Sequence, residues 1–134
     1  MKKKLESIRV EYNSEPVNFK NLLDDPIDQL KLWVNDAIKS KIKDANAVIL
    51  STYDNERGVQ SRVVLIKEIN KIGLIFYTNF HSVKALQIAK NKHVSLCFFW
   101  SNLDRQIRIN GVVKKISKKD SNAYWDLRPR DSKI

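Results

Sequence analysis

The sequence predicts a mainly β domain, a small β-barrel with flanking helices, and three observations lead there. Apolar and β-branched runs recur at 46–53, 59–69, 73–79, 94–100 and 105–116. The connections between the first three runs are too short for the crossover helices that a parallel sheet needs, so these strands pair antiparallel. Closing such a set into a barrel removes the exposed edges that invite unwanted pairing. The chain has 134 residues, 43% hydrophobic and 30% charged, which suffices for one core and is too little for two domains.

Residues 1–24 are polar and poorly periodic and read as an N-terminal arm, leaving 25–134 as the barrel domain. Asp25-Pro26 then supplies an N-cap with proline at the first helical position. Leu30, Trp33, Val34, Ala37 and Ile38 recur at helical spacing, predicting a helix over 26–41. The run NAVILSTY (46–53) ends at the turn-forming DNERG, and VQSRVVLIKEI (59–69) returns as its hairpin partner. After NKIG, a third strand over 73–79 starts at Gly73. Val83, Leu86, Ile88 and Ala89 suit a short helix over 82–90, followed by the strand VSLCFFW (94–100). In 105–116, Ile107 and Ile109 alternate with Gln106, Arg108 and Asn110, the pattern of a half-buried strand. Ser117 with Asp120 forms a capping box for a last helix carrying Tyr124 and Arg128, which Pro129 ends.

Composition narrows the function classes. Three glycines and three prolines exclude collagen-like and Pro/Gly-rich disordered chains, and no apolar stretch nears the roughly 20 residues of a membrane helix. The single Cys97 allows no internal disulfide, and Met1 to Lys4 leads into charged sequence rather than a signal-peptide core. A cytoplasmic protein is expected. The net charge of +10 invites a nucleic-acid reading. Against it, the lysines are scattered in short clusters (2–4, 114–115, 118–119) without the interleaved aromatics that stack on bases. The rival reading is a small phosphorylated ligand held by a few converging cations. His81 and His93 lack neighbouring carboxylates at metal-ligand spacing, so no metal site is expected. Trp33, Trp100 and Trp125 read as core and interface aromatics.

Three clusters suit phosphate chemistry, each with a plainer alternative. Arg62 and Lys67 flank the apolar strand RVVLIK. Five apart, they fall on opposite faces of a regular strand, so convergence on one ligand needs a bulge or a strand end; otherwise both are exposed ends of a core strand. YTN (77–79) leads to SVK (82–84), where a helix N-terminus with Ser82 and Lys84 attracts an anion, or Ser82 is an N-cap beside a solvated lysine. Tyr124 and Arg128 share a helix face, with Arg130 and Ser132 just beyond; they offer a guanidinium fork and hydroxyls to a phosphate, or merely complement the helix dipole. No nucleophile elbow, P-loop or dinucleotide glycine motif is present, so no catalytic side chain is assigned and a cofactor would carry the chemistry.

These residues, in order, resemble the pyridoxamine 5'-phosphate oxidase family. The resemblance runs through IRVEY (8–12), DPIDQLKLW (25–33), RVVLIK (62–67), FYTN (76–79), SVKALQI (82–88), VSLCFFW (94–100), RQIRING (105–111) and the Tyr124-to-Ser132 block ending in RPRDS. It implies an FMN-binding split β-barrel, a homodimer with FMN at the subunit interface. The implied FMN set is Arg62, Val63, Val64, Leu65, Ile66 and Lys67, with Tyr77, Thr78, Val83, Lys84 and Gln106; Ser82 is a weaker helix-start candidate. Val83 stands where the family carries a basic residue. The implied substrate set is Arg9, Val10, Glu11 and Tyr12 of the arm, with Lys67, Tyr124, Arg128 and Ser132.

The activity implied is oxidation of pyridoxamine or pyridoxine 5'-phosphate to pyridoxal 5'-phosphate. Hydride passes from the substrate's exocyclic carbon to the flavin, and molecular oxygen reoxidises the flavin to give hydrogen peroxide. The residues contribute positioning, holding the rings at a near-attack distance of roughly 3–3.5 Å. Family members continue past RPRDS with further FMN contacts, a tryptophan, an Arg-x-His segment and strands of the barrel. A second reading is therefore a remnant that binds FMN or pyridoxal phosphate without turnover, and a third, resting on charge alone, is a nucleic-acid binder.

Overall fold

The structure, a computed structural model, describes residues 1–8, 16–77 and 90–114. Helix α1 (Lys2–Glu6) and a 3-10 turn (Phe19–Asn21) lead to helix α2 (Pro26–Lys39). Five strands follow: β1 (Ala47–Asp54), β2 (Gly58–Ile69), β3 (Leu74–Phe76), β4 (His93–Trp100) and β5 (Arg105–Val112), with a 3-10 turn at Ser101–Leu103.

Helix α2 starts where its cap dictates. The Asp25 side chain accepts from the Ile27 amide at 2.8 Å, and Pro26 occupies the first turn, where no amide partner is required. Leu30 and Ala37 are buried, with Trp33 and Val34 packed beside them on the core. Ile38, expected on this stripe, is 56% exposed, at the edge of the face that Ala37 buries.

The strands form one antiparallel sheet in the order β3-β2-β1-β4-β5, curled into a half-barrel. Two tight turns set the β1–β2–β3 meander. Asp54 Oδ1 accepts from the amides of Glu56 and Arg57, and Gly58 takes φ +72°, a left-handed conformation that costs other residues strain. At the second turn Asn70 and Gly73 exchange backbone hydrogen bonds. The β1–β2 register pairs Leu50 with Arg62, and Ser51 pairs with both Ser61 and Ser95.

Alternation then divides the sheet into two faces. Val48, Leu50 and Thr52 of β1, Val64 and Ile66 of β2, and Leu96, Phe98 and Trp100 of β4 are buried on the face that α2 covers. The Phe98 and Trp100 rings pack at a tilt of 41° with centroids 5.1 Å apart, and Trp100 Nε1 donates to the Ala45 carbonyl at 2.9 Å. Burial of each such side chain stabilises the fold by about 1.5–3 kcal/mol. The other face carries Ile49, Val63, Leu65 and Phe99, between 39% and 66% exposed.

Several boundaries differ from the sequence expectation. The third strand is Leu74–Phe76 rather than 73–79, since Gly73 adopts φ +145° in the turn and Tyr77 leaves the ladder. Strand β5 ends at Val112 rather than 116. The arm contains α1 and the Phe19–Asn21 turn, both too short to leave a periodic signal. The helix expected over 82–90, apart from Lys90, and the last helix after Ser117 lie outside the described residues.

Candidate functional site

Strand β2 carries the central motif, and pairing decides where each side chain goes. Arg62 points to the covered face, opposite Leu50. Its Nη1 donates to the Leu50 carbonyl at 3.0 Å and to Thr52 Oγ1 at 2.8 Å. Thr52 is 2% exposed, so the guanidinium is held by a buried hydroxyl and a strand carbonyl. Partial burial lowers the Arg62 pKa from its ordinary value, and a guanidinium begins so far above neutrality that it keeps its charge.

The remaining motif residues split between the faces. Val64 and Ile66 sit in the core, whereas Val63 and Leu65 project from the open face with exposures of 64% and 39%. The bulge that the spacing called for exists: the β2–β3 register slips between Ile66 and Glu68, leaving Lys67 as the extra residue. Lys67 is nevertheless exposed, following Leu65 in the alternation rather than Arg62. The bulge bends the strand end without bringing the two cations to one face.

Gln106 is exposed on β5 opposite Phe99, and Tyr77 is half-buried just past β3. Arg62 and Gln106 therefore stand on opposite faces of the same sheet. Across the open face, Ser61, Ser51, Ser95 and Asn110 form a continuous row in register, with the Ser51 and Ser61 hydroxyls 2.7 Å apart. Along this row lies an open groove of about 540 Å³ lined by Ser51, Tyr53, Val59, His93, Ser95 and Asn110.

Arg9, Val10, Glu11, Tyr12, Thr78, Ser82, Val83, Lys84, Tyr124, Arg128 and Ser132 lie outside the described residues. Among the described residues, no three His, Cys, Asp or Glu side chains gather as metal ligands, and no helix is long and apolar enough to cross a membrane. Sequence reasoning missed Thr52 as the partner of Arg62. The signal was present, since Thr52 shares the inward parity of Val48 and Leu50, where a polar residue needs a partner.

Comparison with known proteins bears on this arrangement. A family model described as Pyridoxamine 5'-phosphate oxidase matches residues 34–134. A Mannheimia succiniciproducens protein named pyridoxine/pyridoxamine 5'-phosphate oxidase is 40% identical over 130 residues, 97% of this chain and 62% of its own length. A Legionella pneumophila protein of the same name is 42% identical over 130 residues, again 97% of this chain and 60% of its own length. The chain thus spans about three fifths of the length of these curated relatives.

Two solved structures share the fold. PhzG from Burkholderia lata 383, in complex with tetrahydrophenazine-1-carboxylic acid, superposes with a TM-score of 0.81 at 22% identity, covering 88% of this chain and 59% of that one. A pyridoxamine 5'-phosphate oxidase-related, FMN binding protein from Nostoc punctiforme gives 0.63 at 19% identity, covering 81% and 61%. The half-barrel is the fold of FMN-binding split-barrel proteins. With the family model spanning most of the chain and relatives near 40% identity along almost all of it, the chain belongs to the pyridoxamine 5'-phosphate oxidase family.

Proposed function

We propose that this chain serves the FMN-dependent oxidation of pyridoxamine or pyridoxine 5'-phosphate to pyridoxal 5'-phosphate, with molecular oxygen reduced to hydrogen peroxide. The observation that carries this reading is identity near 40% over 97% of the chain to proteins named for that activity. The described donors fit a phosphate-bearing aromatic cofactor. Arg62 offers an oriented cation, Lys67 an exposed one and Gln106 an amide, and Val63 and Leu65 offer apolar surface near the bulge.

FMN supplies, when bound, the two-electron acceptor that no side chain here provides. The protein's part is placement. Arg62 and Lys67 would neutralise charge on the cofactor, Lys67 also facing the substrate, and Tyr77, Thr78, Val83 and Lys84 would complete the cofactor set. Arg9 to Tyr12, Tyr124, Arg128 and Ser132 would hold the substrate's phosphate and ring. A homodimer with the flavin between subunits suits the opposite placement of Arg62 and Gln106, because one subunit can present the covered face's arginine and the other its open-face glutamine. The lone Cys97 suits a reducing, cytoplasmic setting.

The test is anaerobic. The purified chain is reconstituted with FMN, freed of unbound flavin and mixed with pyridoxine 5'-phosphate while the flavin absorbance is followed. Bleaching is the expected result. Retained flavin that never bleaches would replace the oxidase reading with binding alone, and failure to retain flavin would overturn both.

A further inference from the structure

We infer that Thr52 is a positioning residue for Arg62, holding its guanidinium in the orientation that FMN binding uses; this rests on the FMN reading above. The buried polar side chains among the described residues are Gln29, Thr52 and Asp54. Gln29 accepts from the Leu23 amide, and Asp54 accepts from the two amides of its own turn. Thr52 instead accepts, at 2.8 Å, from a cation ten residues away in sequence and on the neighbouring strand.

The geometry explains why this contact orients rather than merely fills space. Arg62 pairs directly with Leu50, and Thr52 is the diagonal neighbour two residues along β1 on the same face. Nη1 carries two hydrogens, and the Leu50 carbonyl and the Thr52 hydroxyl both accept from it. Because a guanidinium is planar, fixing both directions at one nitrogen fixes the plane of the whole fork. Thr52 is β-branched and 2% exposed, so its hydroxyl has little rotational freedom of its own. The ordering of a flexible arginine is thereby completed on folding instead of at ligand binding, which raises affinity without any contact between Thr52 and the ligand.

The experiment measures the FMN dissociation constant of the full 134-residue chain by flavin fluorescence, alongside the melting temperature without flavin. Thr52→Val keeps the shape and removes the hydroxyl, and is expected to weaken FMN up to about tenfold, the cost of ordering one flexible side chain at binding instead of on folding. Thr52→Ser keeps the hydroxyl and is expected to stay near the wild-type constant. In an Arg62→Ala background, Thr52→Val is expected to add little, since the group it orients is gone. If Thr52→Val does not fold, Thr52→Ala removes the same hydroxyl and is read by the same criteria. Wild-type affinity in the valine variant, or an equal loss in the serine variant, would overturn the positioning role while an Arg62→Ala defect upheld the FMN reading. Full FMN affinity in Arg62→Ala, or no FMN binding by the wild type, would overturn the positioning role by removing its basis.

Discussion

The guanidinium carbon of Arg105 lies 4.8 Å from the centroid of the Trp33 ring, and its Nη1 lies 3.5 Å from Asp36 Oδ2. One side chain at the start of β5 thus clasps two residues a helical turn apart on α2. The stack matters more than the ion pair, because the Asp36 side chain is 44% exposed and water screens it.

Replacing Arg105 by alanine is expected to lower stability by about 1 kcal/mol, most of it from the lost stack and from the stem's packing. Urea denaturation monitored by circular dichroism reads the change. Asp36→Asn should cost less than half as much; the reverse order would make the ion pair the dominant contact.

Trp100→Phe should be more costly, about 1–3 kcal/mol, because it strands the buried Ala45 carbonyl that Nε1 now satisfies and leaves a void beside Phe98. Denaturation midpoints would show it. A loss no larger than that of a surface substitution would mean that water reaches Ala45.

Phe99→Glu probes the proposed homodimer. Phe99 is 66% exposed on the open face, so the substitution should leave the folded monomer intact, yet a carboxylate in an apolar interface costs on the order of a few kcal/mol. Sedimentation velocity is expected to show monomers where the parent chain dimerises. Dimers of undiminished affinity would put the interface elsewhere.

Lys67→Gln tests the cation at the bulge. Lys67 is exposed, so its melting temperature without ligand should match the parent's, while FMN or pyridoxine 5'-phosphate binding weakens about tenfold through the lost charge-assisted contact. Titration with each ligand separately assigns the loss to cofactor or substrate. Unchanged binding of both would remove Lys67 from the site.

Much of this protein was legible from local signals. The Asp25 cap, the DNERG turn, the alternation of β1 and the antiparallel meander follow from residues close together in sequence, where caps, turn residues and a period of two act over a few positions. The motif order likewise led to the family. Tertiary structure decided what depends on register. Which hydroxyl meets Arg62, the failure of the Lys67 bulge to bring two cations to one face, and the separation of Arg62 from Gln106 all follow from the register in which the strands align. A slip of one residue in that alignment would exchange the two faces, so parity alone marks Thr52 as inward without naming its partner; the burial of Val48, Leu50, Phe98 and Trp100 together selects the single register that makes these contacts.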